Sequence, residues 1–294
     1  MLDKLKLKSA LLALLILANY LVWAAVSEAT SSTLKIDVLD VGQGDAILIR
    51  TPTHQNILVD GGPDDQVMTE LGKLLPLWDR QIDLIVATHP EADHISGLLT
   101  VLQRYRVKEV LTPRVSSQTK TYVEWQQVLI KVPLINYADA TDDYEWGDVV
   151  WDTLLPLADI PISSSSSTNE SSIVARLNYR QFHILFTGDM GPVSEALALR
   201  IYPALDSQIL KVAHHGSKFS SAANWLQSIR PEVAIISVGE GNSYGHPSRE
   251  ALSRLQQVGA NIYRTDQDGT IEVIFKDNGY WVKVNGKKEF YPHS

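Results

Sequence analysis

Short apolar runs alternate with helical stretches along most of this chain, and that alternation constrains the fold more than any other feature. From Leu34 onward the apolar runs end in polar or glycine-containing turns, as β-strands do. Two comparable β/α halves flank the serine-rich run Ser163–Ser167, which is predicted to be a surface loop. The pattern predicts one α/β domain without an independent second domain.

The individual elements follow from the length and period of each run. Predicted strands are Leu34–Leu39, Ala46–Arg50, Asn56–Val59, Leu84–Ala87, Glu109–Thr112, Asp148–Leu155, Ile173–Asn178, Phe182–Phe186, Gln208–Ala213 and Val233–Val238. Predicted helices are Val67–Leu77, Ser96–Tyr105, Tyr122–Leu129, Pro192–Ile201, Asn224–Ser228 and Arg249–Val258. The tail from Ile262 onward is predicted to be rich in strands.

The amino-acid composition excludes several classes of protein and several kinds of catalytic site. Hydrophobic residues make up 45% of the chain, which suits a sizeable core and excludes a mainly disordered protein. The net charge is −8 without a basic stripe, which argues against tight non-specific binding to duplex nucleic acid. Cysteine is absent, so disulfides, cysteine-ligated zinc and thiol nucleophiles are excluded. Any catalytic metal must be held by His, Asp and Glu.

The amino terminus has the layout of an export signal. Lys4, Lys6 and Lys8 precede an apolar run over Ala10–Val26, and small residues follow. Residues 1–29 are therefore predicted to be a signal peptide or an N-terminal membrane anchor, with a buried N-terminal helix as the alternative. Basic residues before the run would stay inside, which places residues 33–294 outside the cell, either released or anchored.

Side chains able to bind a metal gather just beyond the predicted strands. His89, Glu91, Asp93 and His94 lie within six residues of one another, on a segment in which Pro90 is expected to block helix formation. The other candidates follow later strands and are Asp189, the pair His214 and His215, and His246. In α/β folds such strand ends are where ligands bind. Asp189 is a candidate bridge between two divalent ions.

Four further observations qualify this set. His214 and His215 are adjacent, and adjacent residues of an extended chain face opposite ways, so one of them is expected to enter the site directly. Asp60 suits a role in orienting a ligating histidine. Asp45, in a glycine turn, is either a cleft residue or a turn cap. His183 lies in mid-strand and is rejected as a ligand.

These motifs resemble a known family. Leu58-Val59-Asp60-Gly61-Gly62, the segment His89–His94, Thr187-Gly188-Asp189, His214-His215-Gly216-Ser217 and Gly245-His246-Pro247 resemble the metallo-β-lactamase fold. The segments Asp40–Asp45 and His214–Ser217, together with Asn169-Glu170-Ser171-Ser172, resemble the extracellular domain of ComEC-type DNA-internalisation proteins. The similarity covers about Leu34 to Ile274. No multi-span channel region like that of full-length transporters is present, so residues 1–294 are not expected to form a DNA pore.

The resemblance implies a four-layered αβ/βα sandwich with a dinuclear site between its two sheets. By that analogy His89 and Glu91 hold one ion, Asp93 and His94 the other, Asp189 bridges, and His215 or His246 completes the site. Glu91 stands where the wider fold has histidine. The wider fold also has a histidine between His94 and Asp189, and Asn169 is its only stand-in. Zn²⁺ and Mn²⁺ are both expected to suit such ligands.

The expected function is that of an exported metal-dependent phosphodiesterase, most readily a DNase of the competence type, which uses two ions and an activated bridging water. Asp93, His214 and His215 are its candidate catalytic residues. The alternatives are hydrolysis of a cell-wall or lipid phosphodiester or of a small ester or lactone, and a non-catalytic module that binds nucleic acid or a transport partner. The net negative charge of the chain favours a cell-wall, lipid, ester or lactone substrate over DNA, because a nuclease normally gains from lysines near its cleft.

Overall fold

The computed structural model describes residues 2–29, 33–157 and 167–293. Within them the strands form two sheets, and the described helices lie outside or ahead of them. The first sheet has nine strands: β1 (Lys35–Val38), β2 (Ile47–Arg50), β3 (Asn56–Val59), β4 (Gln81–Val86), β5 (Arg106–Thr112), β6 (Leu134–Tyr137), β14 (Ile271–Lys276), β15 (Gly279–Val284) and β16 (Lys287–Pro292). The second has seven: β7 (Asp143–Trp146), β8 (Val149–Leu155), β9 (Val174–Tyr179), β10 (Phe182–Phe186), β11 (Ile209–Lys211), β12 (Val233–Ile236) and β13 (Asn261–Arg264).

The described helices are eight, and two 3₁₀ turns accompany them at Thr168–Ser171 and Ala213–Gly216. The helices are α1 (Leu2–Ala29), α2 (Gln66–Leu74), α3 (Ala92–Arg104), α4 (Lys120–Leu129), α5 (Pro192–Ile201), α6 (Ala223–Ile229), α7 (Arg249–Gln257) and α8 (Thr265–Asp268). Strand order in the first sheet is β16-β15-β14-β1-β2-β3-β4-β5-β6, and in the second β13-β12-β11-β10-β9-β8-β7.

Parallel pairing sets the positions of the functional residues. Strands β3 to β6 run parallel in the first sheet, and β10 to β13 run parallel in the second. Helices connect most of these neighbours, as parallel pairing requires a long crossover. The carboxyl ends of each parallel set therefore lie at one edge of their sheet, followed by the loops that carry the candidate residues.

Three apolar clusters account for the four layers. Side chains of both sheets, such as Ile49 and Trp151, pack together between them. The outer face of the first sheet packs against α2, α3 and α4, with Trp125 fully buried. The outer face of the second packs against α5, α6 and α7, with Trp225 fully buried. The predicted αβ/βα sandwich is confirmed.

Two strands are missing from the sequence prediction. Both β6 and β7 are short, and each lies at an edge of its sheet, where no residue is fully buried. Edge strands need no continuous apolar run, so periodicity does not detect them. The α3 prediction also starts too late, since the helix begins at Ala92. Pro90 precedes the helix, where it interrupts no helical hydrogen bond.

The N-terminal segment predicted to be a signal peptide or membrane anchor is a helix. α1 covers almost all of the segment predicted as signal or anchor, and its described side chains, at positions 6 and 8–20, are exposed. The alternative of a buried N-terminal helix is therefore wrong for those side chains. In the described part of the chain, no helix has the length and apolarity needed to cross a membrane. Of the predicted serine-rich loop, residues 163–166 lie outside the described residues.

Candidate metal centre

Four side chains from both halves of the sandwich meet at the mouth between the sheets. Asp93 and His94 lie in the first turn of α3, after β4, whereas Asp189 follows β10 and His215 follows β11. One ligand atom from each lies within 4.8 Å of the ligand atoms of the others. We call these four residues the ligand cluster. Their carboxylate and imidazole groups are those that zinc and manganese accept.

The distances inside the ligand cluster are too long for strong direct pairing. His94 Nε2 lies 3.4 Å from Asp189 Oδ1, and His215 Nε2 lies 3.4 Å from Asp93 Oδ2 and 3.5 Å from Asp189 Oδ2. His94, Asp189 and His215 are each at most 1% exposed. The facing atoms thus surround a shared space between them.

Several buried atoms around that space have no hydrogen-bond partner among the residues that the structure describes. They are His89 Nε2, His94 Nε2, His215 Nε2 and Asp189 Oδ1. Leaving a buried polar group unsatisfied costs about 1–3 kcal/mol each, so four in one place need an explanation. A divalent cation held by the ligand cluster would satisfy the atoms of His94, His215 and Asp189. The donor set fits the metal that the fold implies.

Hydrogen bonds on the side away from the ligand cluster fix the rings of His94 and His215. Asp60 follows β3 with a φ of +56° and accepts hydrogen bonds from Thr88 N at 2.8 Å and Thr88 Oγ1 at 2.6 Å. Its Oδ2 lies 2.8 Å from His94 Nδ1. His215 Nδ1 donates to Ser237 O at 2.9 Å. Both rings therefore turn Nε2 toward the ligand cluster, as partners of metal-binding histidines do.

The carboxylates and imidazoles of the ligand cluster shift one another's pKa values. Burial lowers the pKa of His94, but the Asp189 and Asp60 carboxylates outweigh burial and hold that pKa well above its ordinary value. Burial likewise opposes charge on His215, yet the carboxylates around it, Asp189 first, raise its pKa to about 10. Burial raises the pKa of Asp189, but the His215 and His94 rings hold it well below its usual range. The carboxylates therefore favour the protonated forms of His94 and His215 when no cation is bound.

His89 behaves differently from the other two rings. Burial and the neighbouring His94 lower the pKa of His89 to about 3, so this ring is neutral at pH 7. Its centroid lies 4.1 Å from that of His94, and its Nδ1 lies 3.0 Å from Thr88 Oγ1. A neutral imidazole with a buried, unpartnered Nε2 is suited to metal ligation beside the cluster.

The remaining predicted residues lie around the ligand cluster at different depths. His214 is 32% exposed, with Nε2 3.9 Å from Asp189 Oδ2. Asn169 is buried, and its Nδ2 lies 3.4 Å from His214 Nδ1, while its Oδ1 has no partner. The His246 ring lies 5.7 Å from that of His214. Glu91 accepts a hydrogen bond from Thr168 Oγ1 and does not belong to the ligand cluster.

The extended geometry expected for His214 and His215 is wrong. Both residues lie in a 3₁₀ turn with left-handed backbone, at φ +49° and +52°. The turn brings both rings to the side of Asp189, with ring centroids 6.2 Å apart. The two side chains nevertheless differ in exposure: His215 is buried, whereas His214 is partly exposed. Left-handed backbone is rare for residues other than glycine, so no local sequence pattern indicates it at these two histidines.

Lys211 is a functional candidate that sequence reasoning missed. This last residue of β11 is 2% exposed, and its Nζ lies 2.5 Å from Asp45 Oδ2. Asp45 Oδ1 in turn lies 3.4 Å from His215 Nδ1. Burial raises the pKa of Asp45, but Lys211 and His215 hold it below its usual range. A lysine within a buried apolar strand was the available signal, since lysine is almost never fully buried unless paired. His183, by contrast, lies outside the site and bonds Asn178 Oδ1 at 2.8 Å.

Comparison with known proteins identifies the same architecture. A family model described as the metallo-beta-lactamase superfamily matches residues 39–240. ComE operon protein 3 of Bacillus subtilis is 30% identical over 266 residues, which are 84% of this chain and 34% of that protein. Competence protein ComA of Neisseria gonorrhoeae is 27% identical over 239 residues, which are 81% of this chain and 32% of that protein. This chain thus spans about a third of the length of these two relatives.

A solved structure shows the fold. The metallo-beta-lactamase fold protein YhfI of Bacillus subtilis superimposes with a TM-score of 0.57 at 12% identity, over 83% of this chain and 99% of that chain. The resemblance inferred from the motifs is confirmed by the family model and by the competence-related relatives.

Proposed function

We propose that this chain, which belongs to the metallo-beta-lactamase superfamily, is an exported metal-dependent phosphodiesterase that acts on DNA. Metal-dependent hydrolysis is the chemistry of the superfamily. The ligand cluster, whose buried atoms face one another without hydrogen-bond partners, carries the proposal. Two further rings, His214 and His246, lie on the more exposed side of that cluster, where a substrate would enter.

The proposed role of each residue follows from its position in the site. His89, Asp93, His94, Asp189 and His215 are the proposed metal ligands. Divalent ions bound there would lower the pKa of water and offset the charge that develops on a phosphoryl group. Asp60 orients His94, and Ser237 orients His215, so that the ligands keep their positions during turnover. This fixed geometry is what electrostatic stabilisation of a transition state requires.

His214 is the proposed proton donor. It is partly exposed, and its Nε2 lies close to Asp189 without being enclosed by the ligand cluster. Asn169 Nδ2 lies 3.4 and 3.5 Å from the two ring nitrogens of His214. An imidazole held there can hydrogen-bond a phosphoryl oxygen or donate a proton to the leaving oxygen, a contribution of about 10²–10⁴-fold in rate.

DNA as the substrate is supported by relatives and not by charge. One relative bears the name competence protein, and the motifs resemble the extracellular domain of DNA-internalisation proteins. Export is supported by the lysines at positions 4, 6 and 8 ahead of an apolar segment. The net charge of −8 favours a second candidate, a phosphodiesterase for a cell-wall or lipid substrate.

Metal analysis combined with a substrate panel tests the proposal. Purified protein comprising residues 1–294 should contain divalent metal and should hydrolyse a DNA strand faster than glycerophosphodiesters, lactones or cell-wall phosphodiesters. Asp189→Ala should lose bound metal and activity together. His214→Ala should keep its metal and lose about 10²–10⁴-fold in turnover. His183→Ala is the matched control, because that histidine lies half-buried on β10 away from the ligand cluster.

Each outcome has a distinct reading. A metal-loaded protein that hydrolyses lipid or cell-wall phosphodiesters but not DNA contradicts the DNA proposal and retains the metal centre. A protein that binds metal and hydrolyses nothing in the panel is a binding module. Asp189→Ala with normal metal content and turnover would refute the proposed site altogether.

A further inference from the structure

A row of aromatic rings leads outward from the ligand cluster. The ring centroids of His215 and His214 are 6.2 Å apart, those of His214 and His246 are 5.7 Å apart, and those of His246 and Tyr244 are 6.0 Å apart. We call these four rings the ring row. Its inner end is buried in the metal centre, whereas Tyr244 at its outer end is 68% exposed.

Tyr244 presents a flat face to solvent. Its ring lies nearly parallel to that of His246, at an interplanar angle of 18°. One face of Tyr244 is thus occupied by His246, and much of the remainder is open. Tyr244 differs from the exposed Trp78 in that its ring lies next to a histidine beside the metal centre.

The loop that carries Tyr244 is held in place by one side chain. Asn242 Nδ2 donates to Gly239 O at 3.0 Å and to His246 O at 2.7 Å. Asn242 Oδ1 accepts from Tyr244 N at 3.2 Å and from His246 N at 3.1 Å. Ser248 N also donates to Gly216 O at 2.9 Å, which ties the loop to the turn of the ligand histidines. The outer ring is therefore positioned relative to the metal centre before any ligand arrives.

Charge around the loop is balanced. Lys218 is exposed, with its Nζ 4.9 Å from the Phe219 ring centroid, and Arg249 is exposed at the start of α7. Glu240 and Glu250 are exposed beside them. This rim therefore offers little net attraction to a polyanion, so a nucleic acid would need another source of affinity here. Stacking of bases on aromatic rings is such a source and does not depend on net charge.

We infer that Tyr244 is a stacking platform for an unpaired base of the DNA strand whose phosphodiester is held in the metal centre, so that the site selects single-stranded DNA. This inference rests on the proposed function and adds its substrate class. A paired base is stacked on both faces within a duplex and cannot offer a face to Tyr244. A base of an unpaired strand can, and the ring row connects that base position to the ligand cluster. Phe219, 69% exposed and four residues after His215, is a second exposed ring near the same turn.

Binding of two matched strands tests the inference. The first is a fluorescent decathymidylate with phosphorothioate linkages, which resist cleavage, and the second is the same strand with abasic residues in place of its bases. Metal-loaded protein comprising residues 1–294 should bind the base-bearing strand more tightly by fluorescence anisotropy. Tyr244→Ala should weaken that binding by about 5- to 140-fold, which corresponds to the ~1–3 kcal/mol of one base–aromatic stack. Its effect on the abasic strand should be less than twofold.

Two controls distinguish stacking from loss of structure. Tyr244→Phe keeps the ring and should bind the base-bearing strand within twofold of the original protein. Trp78→Ala removes an aromatic residue that is 75% exposed and precedes β4, at the end of that strand away from the metal centre, and should change neither affinity. Equal weakening of both strands by Tyr244→Ala, or equal affinity of the original protein for the two strands, overturns the inference.

Failure of the proposed function has a different signature. A protein that hydrolyses no DNA of ordinary linkage, single-stranded or duplex, refutes the nuclease itself. A protein that hydrolyses both forms equally, with Tyr244→Ala equal to the original, refutes the stacking platform and leaves the nuclease intact.

Discussion

Lys211→Met removes one partner of the buried ion pair beneath the metal centre. Lys211 and Asp45 are both 2% exposed, and their Nζ and Oδ2 atoms lie 2.5 Å apart. The lysine also donates to Val212 O at 3.1 Å. Methionine has a similar length and apolar volume, so the substitution leaves little cavity. Its main consequence is a carboxylate in the protein interior without its cation.

The expected loss follows from that unpaired charge. Removing one partner of a buried ion pair costs about 3–5 kcal/mol, because the other charge stays desolvated. For a chain of this size about 1 kcal/mol shifts the melting temperature by 2–4 °C, so Lys211→Met should lower it by roughly 6–20 °C. The double variant Asp45→Asn with Lys211→Met removes both charges and should recover at least half of the loss.

The pH dependence gives the sign of the effect. In the original protein Lys211 and His215 hold the pKa of Asp45 below its usual range, so Asp45 contributes stability above its unfolded-state pKa of about 3.9. Without the lysine, burial raises that pKa, and the ionised form becomes costly. The difference between the two proteins should therefore be largest at neutral pH and should shrink as pH falls toward 4.

Urea denaturation at pH 7 and pH 4, followed by circular dichroism, measures these differences. Lys120→Met is the control, since Lys120 is 91% exposed and lies 3.6 Å from Glu124, and it should change stability by less than about 0.5 kcal/mol. A loss below about 1 kcal/mol for Lys211→Met at pH 7 would refute the reasoning. So would a double variant no more stable than the single one.

Four further predictions concern the ligand cluster and its surroundings. Glu91→Asp should leave metal content unchanged in divalent-ion titrations, because Glu91 is hydrogen-bonded outside the cluster; a changed metal preference would make it a ligand. Metal-free protein should lose stability as pH rises from about 6.5 to about 10, because the raised pKa of His215 favours folding only while the ring is protonated. Metal competes with the proton on His215, so the metal affinity measured by calorimetric titration should rise by up to about tenfold per pH unit. A metal affinity that does not change with pH would contradict this. Gly44→Ala should destabilise the protein by about 1–3 kcal/mol in urea, because the new Cβ would clash with Asp93 O. Gly72→Ala should not, because its Cβ would meet no atom of the described residues within 4 Å.

Local pattern was sufficient for much of the fold. The predicted bounds of Asn56–Val59 and Pro192–Ile201 agree with β3 and α5, because each run has a clear period and a proline or glycine beside it. The position of the candidate residues beyond strand ends also follows from local pattern. Those strand ends lie at the carboxyl edge of two parallel sets, which is why side chains at positions 93 and 215 can meet.

Other features depend on contacts that local pattern does not encode. The left-handed backbone of His214 and His215 is stabilised by partners elsewhere in the chain, such as Gly188 O, which accepts from His214 N at 3.2 Å. The Lys211–Asp45 pair joins residues 166 positions apart. A strand pattern predicts that Lys211 is buried, but the identity of its partner depends on which strand ends meet across the two sheets.

The origin of the ligands has a consequence for stability. Asp93 and His94 are held by the helix that follows β4 of the nine-stranded sheet, whereas Asp189 and His215 follow strands of the seven-stranded sheet. An ion bound by all four would link the two sheets at the mouth of the sandwich. The apolar cluster between the sheets holds them together over the rest of their area. Because neither half alone supplies the complete ligand set, the free energy of metal binding is added to the free energy of packing the two halves. The metal centre is therefore both the proposed reaction site and a joint between the two halves of the fold.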